Sequence, residues 1–197
     1  GYRARLYRFL RREAEAGHQI YIVCPAIEPP EEQEGDVPAD PVCAVLPYTE
    51  KLHAEVFPDL TVEALYGSMP PAQKEAVMRR FAAGEIRILV STTVIEVGVN
   101  VPNATVMVVE NAERFGLSQL HQLRGRVGRG ADKSYCIYVT ASKSQTVRER
   151  LEVLRTSRDG FEIAEADLRL RGPGDFFPTQ DGLVRQHGEF RFLALCD

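Results

Sequence analysis

Two arginines and a glutamine in the segment 119–130 have the side-chain types and the spacing to act on a phosphate group. Gln122, Arg126 and Arg129 stand at offsets of zero, four and seven. At about 100° per residue, a helix or an extended helical turn would place the three side chains within roughly 60° of one another. Two permanently charged guanidinium groups beside an amide suit a triphosphate whose negative charge grows during cleavage. The pattern predicts a site for a nucleoside triphosphate.

The alternative interpretation of this segment is a basic face that is simply solvated. Gly125 and Gly128 argue against it, because glycines weaken a helix and a solvated face would not need them. They keep the backbone slim enough for close approach by a ligand or another domain.

The rest of a triphosphate site is missing from the sequence. There is no Gly-x-x-x-x-Gly-Lys-Ser/Thr loop to wrap the phosphates, and no predicted strand ends in an acidic pair that could hold magnesium. We therefore expect one half of a two-domain motor, whose arginines reach across a cleft to a nucleotide held by another domain. By itself the chain should hydrolyse ATP negligibly.

Composition excludes several other classes. A chain of 197 residues with 44% hydrophobic content can bury one core, and no apolar run approaches the length of a membrane span. The start of the chain does not resemble a secretory signal. A net charge of −4 argues against bulk coating of nucleic acid, but it permits a basic groove. The four cysteines are dispersed and form no Cys-x-x-Cys pair; they are Cys24, Cys43, Cys136 and Cys196. This spacing is typical of reduced thiols in a cytosolic protein and predicts no metal site.

Helical and strand patterns alternate along the first 154 residues. The predicted strands are 19–24, 61–66, 86–91, 105–110 and 134–140, and the predicted helices are 2–16, 48–56, 70–83, one beginning near Ser118, and 146–154. This alternation predicts an α/β fold, a parallel sheet with helices on both faces. Such sheets bind ligands at the carboxyl ends of their strands, and we expect the arginine segment and residues 91–101 to lie in connections there.

Two segments fall outside this alternation. Residues 28–41 carry six acidic residues and four prolines, which predicts an exposed loop. After residue 160 the pattern predicts a helix over 161–171, a break at Gly172-Pro-Gly174 and an irregular or hooked end.

The motifs together resemble a known family. The pattern Gln122-x-x-Gly-Arg126-x-x-Arg129 is similar to the last motif of superfamily 2 helicases, and residues 91–102 resemble the motif before it. Residues 21–25, 113–124 and 159–168 resemble the RecG family of DNA helicases. Residues 169–175 are similar to the translocation motif that this family shares with the transcription-repair coupling factor. The resemblance implies a second RecA-like motor domain over 1–158 and a translocation-motif extension over 159–197.

The resemblance also implies a role for each residue on the ATP side. Arg126 and Arg129 would contact the γ-phosphate, with Arg129 as the arginine finger, and Gln122 would orient the attacking water or couple it to DNA. Glu96, Gly98 and Asn100 belong to the segment that we expect near the ribose of ATP. The family usually has aspartate where Asn100 stands, and an amide oxygen accepts a hydrogen bond more weakly.

Four residues would contact DNA. Gly67 and Thr92 would touch the phosphate backbone, and Arg169 and Arg171 would belong to the element that grips the duplex. A strand-end hydroxyl and an exposed glycine amide are ordinary phosphate donors that read no sequence. Residues 177–182, Phe-Pro-Thr-Gln-Asp-Gly, depart from the family's Gly-Thr-Arg-Gln-Ser-Gly at this element.

The implied whole protein is an ATP-dependent helicase that remodels stalled replication forks and recombination junctions. Its cofactors would be ATP and Mg²⁺, bound mainly by the first motor domain. Its partners would be branched double-stranded DNA and its own N-terminal wedge and first motor domain. We expect a monomer in the bacterial cytoplasm, associated with the nucleoid and not with a membrane. Two alternatives remain at this point: the motor of the transcription-repair coupling factor, and a degenerate module that binds DNA or a partner without ATPase coupling.

Overall fold

The structure is a computed structural model that describes residues 1–29, 42–92 and 101–171. The predictions for Glu96, Gly98 and Asn100, for the acidic loop and for the end of the chain after Arg171 lie outside the described residues. The side chain of Arg171 lies outside them as well.

A five-stranded sheet forms the centre of the molecule. Its strands are β1 (Gln19–Val23), β2 (Val62–Leu65), β3 (Ile88–Ser91), β4 (Ala104–Val109) and β5 (Tyr135–Tyr138). The order across the sheet is β2-β3-β1-β4-β5, and every pairing is parallel. The predicted parallel sheet is therefore confirmed, with every strand end within two residues of the predicted one.

Six helices surround the sheet in the described part of the chain. They are α1 (Tyr2–Glu15), α2 (Val45–Lys51), α3 (Pro71–Ala82), α4 (Leu117–Arg124), α5 (Gln145–Thr156) and α6 (Gly160–Arg171). A single π-helical turn, Leu52–Val56, extends α2, and a short 3₁₀ turn covers Ala112–Arg114. Across the described ranges, no helix combines the length and the apolar character that a membrane crossing requires.

The two faces of the sheet are covered by different helices. Alternation along β1 sends Ile20 and Ile22 into a core with α1 and α2, and sends Tyr21 and Val23 into a core with α3, α4, α5 and α6. All five residues of β1 are buried, as expected of a central parallel strand. The predicted covering of both faces is confirmed.

Glycine ends two of the helices where the sequence places it. Gly17 follows α1 with φ of 93°, and Gly84 follows α3 with φ of 80°, a conformation that glycine adopts without a Cβ penalty. The helix predicted around 48–56 begins earlier, at Val45, and the π-helical turn that extends it ends at Val56. Pro47 lies in the first turn of α2, where its missing N–H costs no helical hydrogen bond.

The start of α4 differs from the prediction. The helix begins at Leu117, and Gly116 occupies the N-cap position that the sequence assigned to Ser118. The backbone N–H of Gly116 donates to Oε1 of Gln119 at 3.1 Å. The side chain of Gln119 reaches back from the third helical position, so a glutamine caps this end instead of a serine.

Candidate functional site

Helix α4 ends before Arg126 and Arg129. Helix α4 ends at Arg124, and Gly125 caps it with φ of −69°. Gly128 then takes a left-handed φ of 84° and turns the chain away from the helix axis. The predicted single helical face for Gln122, Arg126 and Arg129 is therefore wrong, because Gln122 lies on the helix and both arginines follow it. We call residues 125–130 the arginine loop.

Arg126 lies near a buried tyrosine of β1. Its backbone N–H donates to the carbonyl of Leu123 at 3.0 Å, and its side chain is partly exposed. Burial raises the pKa of Tyr21 to about 12, and the positive charge of Arg126 opposes that rise. The guanidinium is thus close enough to act electrostatically on the Tyr21 hydroxyl. The sequence analysis did not identify this neighbour, because nothing in the alternation of β1 distinguishes Tyr21 from a plain core residue.

Arg129 is held by the helix end that precedes it. Its Nε donates to the carbonyl of Gly125 at 3.1 Å, and both residues are exposed. An arginine carries five N–H donors, so this bond uses one and orients the planar fork at the surface. Gln122 is exposed one turn earlier on α4. The loop therefore presents fixed positive charge to solvent, as a group that reaches a ligand on another domain must.

The arginine loop lies at the amino ends of the strands. A Cβ built on Gly130 would come within 2.9 Å of the carbonyl oxygen of Pro102, two residues before β4. Nε2 of His18, just before β1, lies 3.7 Å from Asp132. The expected position at the carboxyl ends is therefore wrong. The reason is that α4 starts near the carboxyl end of β4 and runs back across the sheet before the loop begins.

Two of the DNA candidates, Gly67 and Thr92, meet at the opposite edge. Leu65 of β2 pairs with Ser91 of β3 at the carboxyl ends of these strands, and the N–H of Thr92 donates to the Leu65 carbonyl at 3.3 Å. Gly67 is exposed in the turn that follows β2, and its carbonyl accepts from Nζ of Lys74 at 3.2 Å. The structure thus brings Gly67 and Thr92 to one edge of the sheet, and their contact with DNA stays a prediction.

The segment 93–100 connects the two edges. Thr92 precedes it at the carboxyl end of β3, and Val101 follows it near the amino end of β4, beside Pro102 and Gly130. Glu96, Gly98 and Asn100 lie within this segment, outside the described residues.

Helix α6 carries Arg169 toward the carboxyl edge. Ile163 and Ala166 are buried where α6 packs on α4 and α5. Asp167 lies 3.9 Å from Arg150, which also donates to the carbonyl of Phe115 at 2.9 Å, just before α4. The last turn of α6 is therefore near the start of α4, on the side of the carboxyl ends. Arg169 is exposed in that turn, and Arg171 is the last residue of the helix.

A cleft of about 1240 Å³ opens beside Gln122, between α4, β5 and α5. Arg124 forms one wall, and its Nη1 donates to the carbonyls of Leu154 and Ser157 while its Nη2 contacts Nδ1 of His121. Several arginines line this cleft, and the sequence alone does not predict it, because arginines on a helix usually indicate only a solvated face. The arginines that line the cleft are Arg124, Arg148, Arg155 and Arg158.

No group of three or more histidine, cysteine, aspartate or glutamate side chains is arranged to hold a metal ion among residues 1–29, 42–92 and 101–171. The described site is cationic on the amino edge, where Arg126 and Arg129 lie, and offers the hydrogen-bonding groups of Gly67 and Thr92 on the carboxyl edge. This combination fits a phosphate ligand at each edge.

Comparison with known proteins agrees with the geometry. Residues 2–131 match the family described as helicase conserved C-terminal domain, and residues 157–187 match the C-terminal part of domain 3 of ATP-dependent DNA helicase RecG. The chain is 53% identical over 92% of its length to ATP-dependent DNA helicase RecG of Synechocystis, and 47% identical over 88% to that of Bacillus subtilis strain 168. It covers 21% and 24% of those two proteins, so it spans about a quarter or less of the relatives it matches.

A solved structure shares the fold of nearly the whole chain. The structure of RecG bound to a three-way DNA junction superposes with a TM-score of 0.68 at 40% identity, covering 98% of this chain and 24% of that one. The RecA-like arrangement of sheet and helices that the resemblance implied is confirmed by this match.

Proposed function

The chain belongs to the helicase conserved C-terminal domain family, and from that premise we propose that it is the second motor domain of an ATP-dependent DNA translocase and helicase. In the whole protein it would remodel stalled replication forks and recombination junctions. The observation that carries the proposal is that Arg126 and Arg129 lie at the amino ends of the sheet, whereas Gly67 and Thr92 lie at its carboxyl ends.

The amino edge would complete an ATP site that another domain holds. Arg129 is fixed at the surface through its bond to Gly125, and Arg126 follows the helix end beside Tyr21. Guanidinium groups delivered across a cleft stabilise the charge that develops during phosphoryl transfer. Gln122, exposed on the last turns of α4, would orient the attacking water, and Glu96, Gly98 and Asn100 would lie near the ribose.

The carboxyl edge would track the DNA backbone. Gly67 and Thr92 adjoin each other through the β2–β3 pairing, and α6 brings Arg169 and Arg171 to the same side of the molecule. Backbone and hydroxyl donors contact phosphates without reading sequence. Such contacts fit a motor that must bind every step of a duplex equally.

The remaining parts of the proposal concern the whole protein. The first motor domain would hold most of the ATP and its Mg²⁺, the wedge domain would contact the branch point, and branched double-stranded DNA would be the substrate. The relative with a solved structure was bound to a three-way DNA junction. We place the boundary between motor domain and translocation extension at residues 158 and 159, and we propose a monomer acting on nucleoid DNA in the cytoplasm.

The similarity to RecG proteins favours this function over the transcription-repair coupling factor. Fork remodelling by the full-length protein, measured as regression of a model fork, separates the two: a coupling factor would displace stalled RNA polymerase and leave the fork unchanged. A degenerate binding module would bind junction DNA without any DNA-stimulated ATPase.

The decisive experiment is Arg129→Ala in the full-length protein. DNA-stimulated ATP hydrolysis should fall by about 10³-fold or more, because an arginine finger supplies that much of the rate in related motors. Binding to a three-way junction, measured by fluorescence anisotropy without nucleotide, should stay within about two-fold of the wild type, because Arg129 lies on the edge away from Gly67 and Thr92.

Arg8→Ala is the matched control, since Arg8 is also an exposed arginine but lies on α1, across the sheet from the arginine loop. Its ATPase should equal that of the wild type. Unchanged hydrolysis in Arg129→Ala would remove Arg129 from the ATP site and with it the main support for a motor.

A further inference from the structure

Two of the cysteines, far from each other in sequence, lie side by side at the carboxyl end of β1. Sγ of Cys24 is 3.7 Å from Sγ of Cys43, and the two residues are nineteen positions apart. Neither takes part in the phosphate contacts proposed above. We propose that Cys24 and Cys43 form a reversible disulfide, and that hydrogen peroxide or a comparable two-electron oxidant is the co-reactant.

Backbone hydrogen bonds directly beyond the two cysteines hold their segments together. The N–H of Val45 donates to the carbonyl of Ala26 at 2.9 Å, and the N–H of Leu46 donates to that of Ile27 at 3.1 Å. Ala26 and Ala44 form an isolated parallel bridge. Two strand-like segments therefore run together directly beyond the two cysteines. A disulfide needs a sulfur separation of about 2.05 Å, which a small change in side-chain torsion can supply when the backbones are already adjacent.

A third residue fixes Cys43 from the other side. The backbone N–H of Cys43 donates to Oδ1 of Asn111 at 2.8 Å. Asn111 takes a left-handed φ of 48° directly after Glu110, at the carboxyl end of β4. The backbone of Cys43 is thus held near the ends of two different strands, β1 and β4.

The two thiols differ in access to an oxidant. Cys24 is completely buried, whereas Cys43 is partly exposed. The hydrogen bond with Cys43, burial and the nearby charge of Glu110 raise the pKa of Cys24. Cys43 is the thiol that an oxidant in solvent can reach, so it reacts first, and Cys24, whose sulfur is 3.7 Å away, resolves the product.

The chemistry balances over two steps. The sulfur of Cys43 attacks one oxygen of hydrogen peroxide, the O–O bond breaks, and the displaced oxygen leaves as water with the thiol proton. The resulting sulfenic acid is then attacked by the sulfur of Cys24, the S–O bond breaks, and a second water leaves with the proton of Cys24. Two electrons pass from the sulfurs to the peroxide. An external dithiol reverses the reaction by thiol–disulfide exchange.

The cysteine pair is hydrogen-bonded to the strand end that carries Thr92, so its oxidation can affect the carboxyl edge. The N–H of Cys24 donates to the carbonyl of Ser91 at 2.8 Å, and Ser91 directly precedes Thr92. A change in the position of Cys24 is therefore transmitted through one hydrogen bond to the strand end proposed for DNA contact. In a reducing compartment such disulfides are transient and sense oxidants, which agrees with cysteines that are otherwise reduced.

Peptide mapping of the full-length protein tests the proposal. No lysine or arginine lies between Arg12 and Lys51, so trypsin leaves both cysteines in one peptide, 13–51. After brief peroxide treatment and alkylation, that peptide should lose two hydrogens and carry no alkyl group. Cleavage after Glu32 and Glu34 should leave two cysteine-containing fragments joined by the disulfide, and dithiothreitol should separate them.

Cys136 is the internal control, because burial raises its pKa to about 11 and its tryptic peptide is separate. It should be alkylated after unfolding in both oxidised and reduced samples. In Cys24→Ser the sulfenic acid of Cys43 has no resolving thiol, so dimedone should label Cys43 about ten-fold more than in the wild type. Cys43→Ser should leave Cys24 fully alkylated after unfolding.

Equal dimedone labelling of Cys43 in wild type and Cys24→Ser, with Cys24 still a thiol in the wild type, would overturn the proposal. The wild-type mapping decides the matter even if a variant fails to fold. Neither measurement uses ATP or DNA, so its outcome is independent of the proposed motor function.

Discussion

The amino and carboxyl edges of the sheet would both bind phosphate, but they do so with different chemistry. The amino edge presents permanent charge, with Arg126 and Arg129 on a loop that follows a helix end. The carboxyl edge presents a strand-end hydroxyl and a glycine turn, Thr92 and Gly67. The arginine loop suits a reaction in which negative charge develops, whereas the hydrogen-bond donors of Gly67 and Thr92 suit a polyanion that must be released at every step.

The edges also differ in what fixes them. The carboxyl edge is held by the parallel ladder itself, since Leu65, Ser91 and Cys24 are joined by sheet hydrogen bonds. The arginine loop lies outside the sheet and depends on one left-handed glycine and one close packing contact, at Gly128 and Gly130. Substitutions should therefore affect the two edges separately.

The largest difference between the effect on ATPase and the effect on DNA affinity is expected for Arg126→Ala in the full-length protein. Loss of a guanidinium from the ATP side should lower DNA-stimulated ATPase by about 10³-fold, while junction affinity changes by less than about two-fold. Arg126→Lys keeps the charge but not the planar fork, so it should recover only part of the rate. Steady-state ATPase and anisotropy titrations on the same preparations measure both. A parallel fall in DNA affinity would contradict the division into two edges.

A smaller effect is expected when the backbone of the arginine loop is strained. Gly128→Ala places a Cβ at φ of 84°, where the nearest atom, Oγ of Ser134, would be at 3.4 Å. Space is therefore sufficient, and the cost is the left-handed backbone alone, about 1–2 kcal/mol of unfolding free energy. Urea denaturation of the 197-residue chain, followed by circular dichroism, measures it.

Gly125→Ala is the matched substitution for that experiment. Gly125 has φ of −69°, which alanine adopts freely, and the nearest atom to its Cβ would be the Gln122 carbonyl at 3.4 Å. Its stability should be unchanged or higher by up to about 1 kcal/mol, since alanine favours a helix end more than glycine does. If both variants lost equal stability, the left-handed turn would not be what shapes the loop.

Most of the fold could be predicted from the sequence because its signals are local. Apolar runs such as 19–24 mark strands that are buried on both faces, and Gly17 and Gly84 mark helix ends where the structure has positive φ. The end of α4 could not be predicted in this way. Offsets of four and seven residues are compatible both with a helix that continues through Arg129 and with a helix that ends before the arginines. The positive φ of Gly128, which the sequence does not reveal, turns the chain away from the helix axis.

The location of the site was harder to predict than its residues. Gln122, Arg126 and Arg129 are candidates by their residue types, whereas the edge on which the arginines lie depends on how far α4 runs back across the sheet. Tyr21 and the Cys24–Cys43 pair carry no signal in the sequence, because their neighbours come from strands and loops far away along the chain. Tertiary pairing alone brings such residues together.

The finest test of the two-edge comparison is Thr92→Val, which removes one hydroxyl and keeps the β-branched shape. A single hydrogen bond to a phosphate contributes about 1 kcal/mol, so junction affinity should fall about five-fold, and ATPase at saturating DNA should stay near the wild-type rate. Thr92→Ser retains the hydroxyl and should keep most of the affinity. Because Thr92 adjoins Leu65 and not the arginine loop, a fall in maximal ATPase with unchanged affinity would mean that the carboxyl edge serves the nucleotide as well.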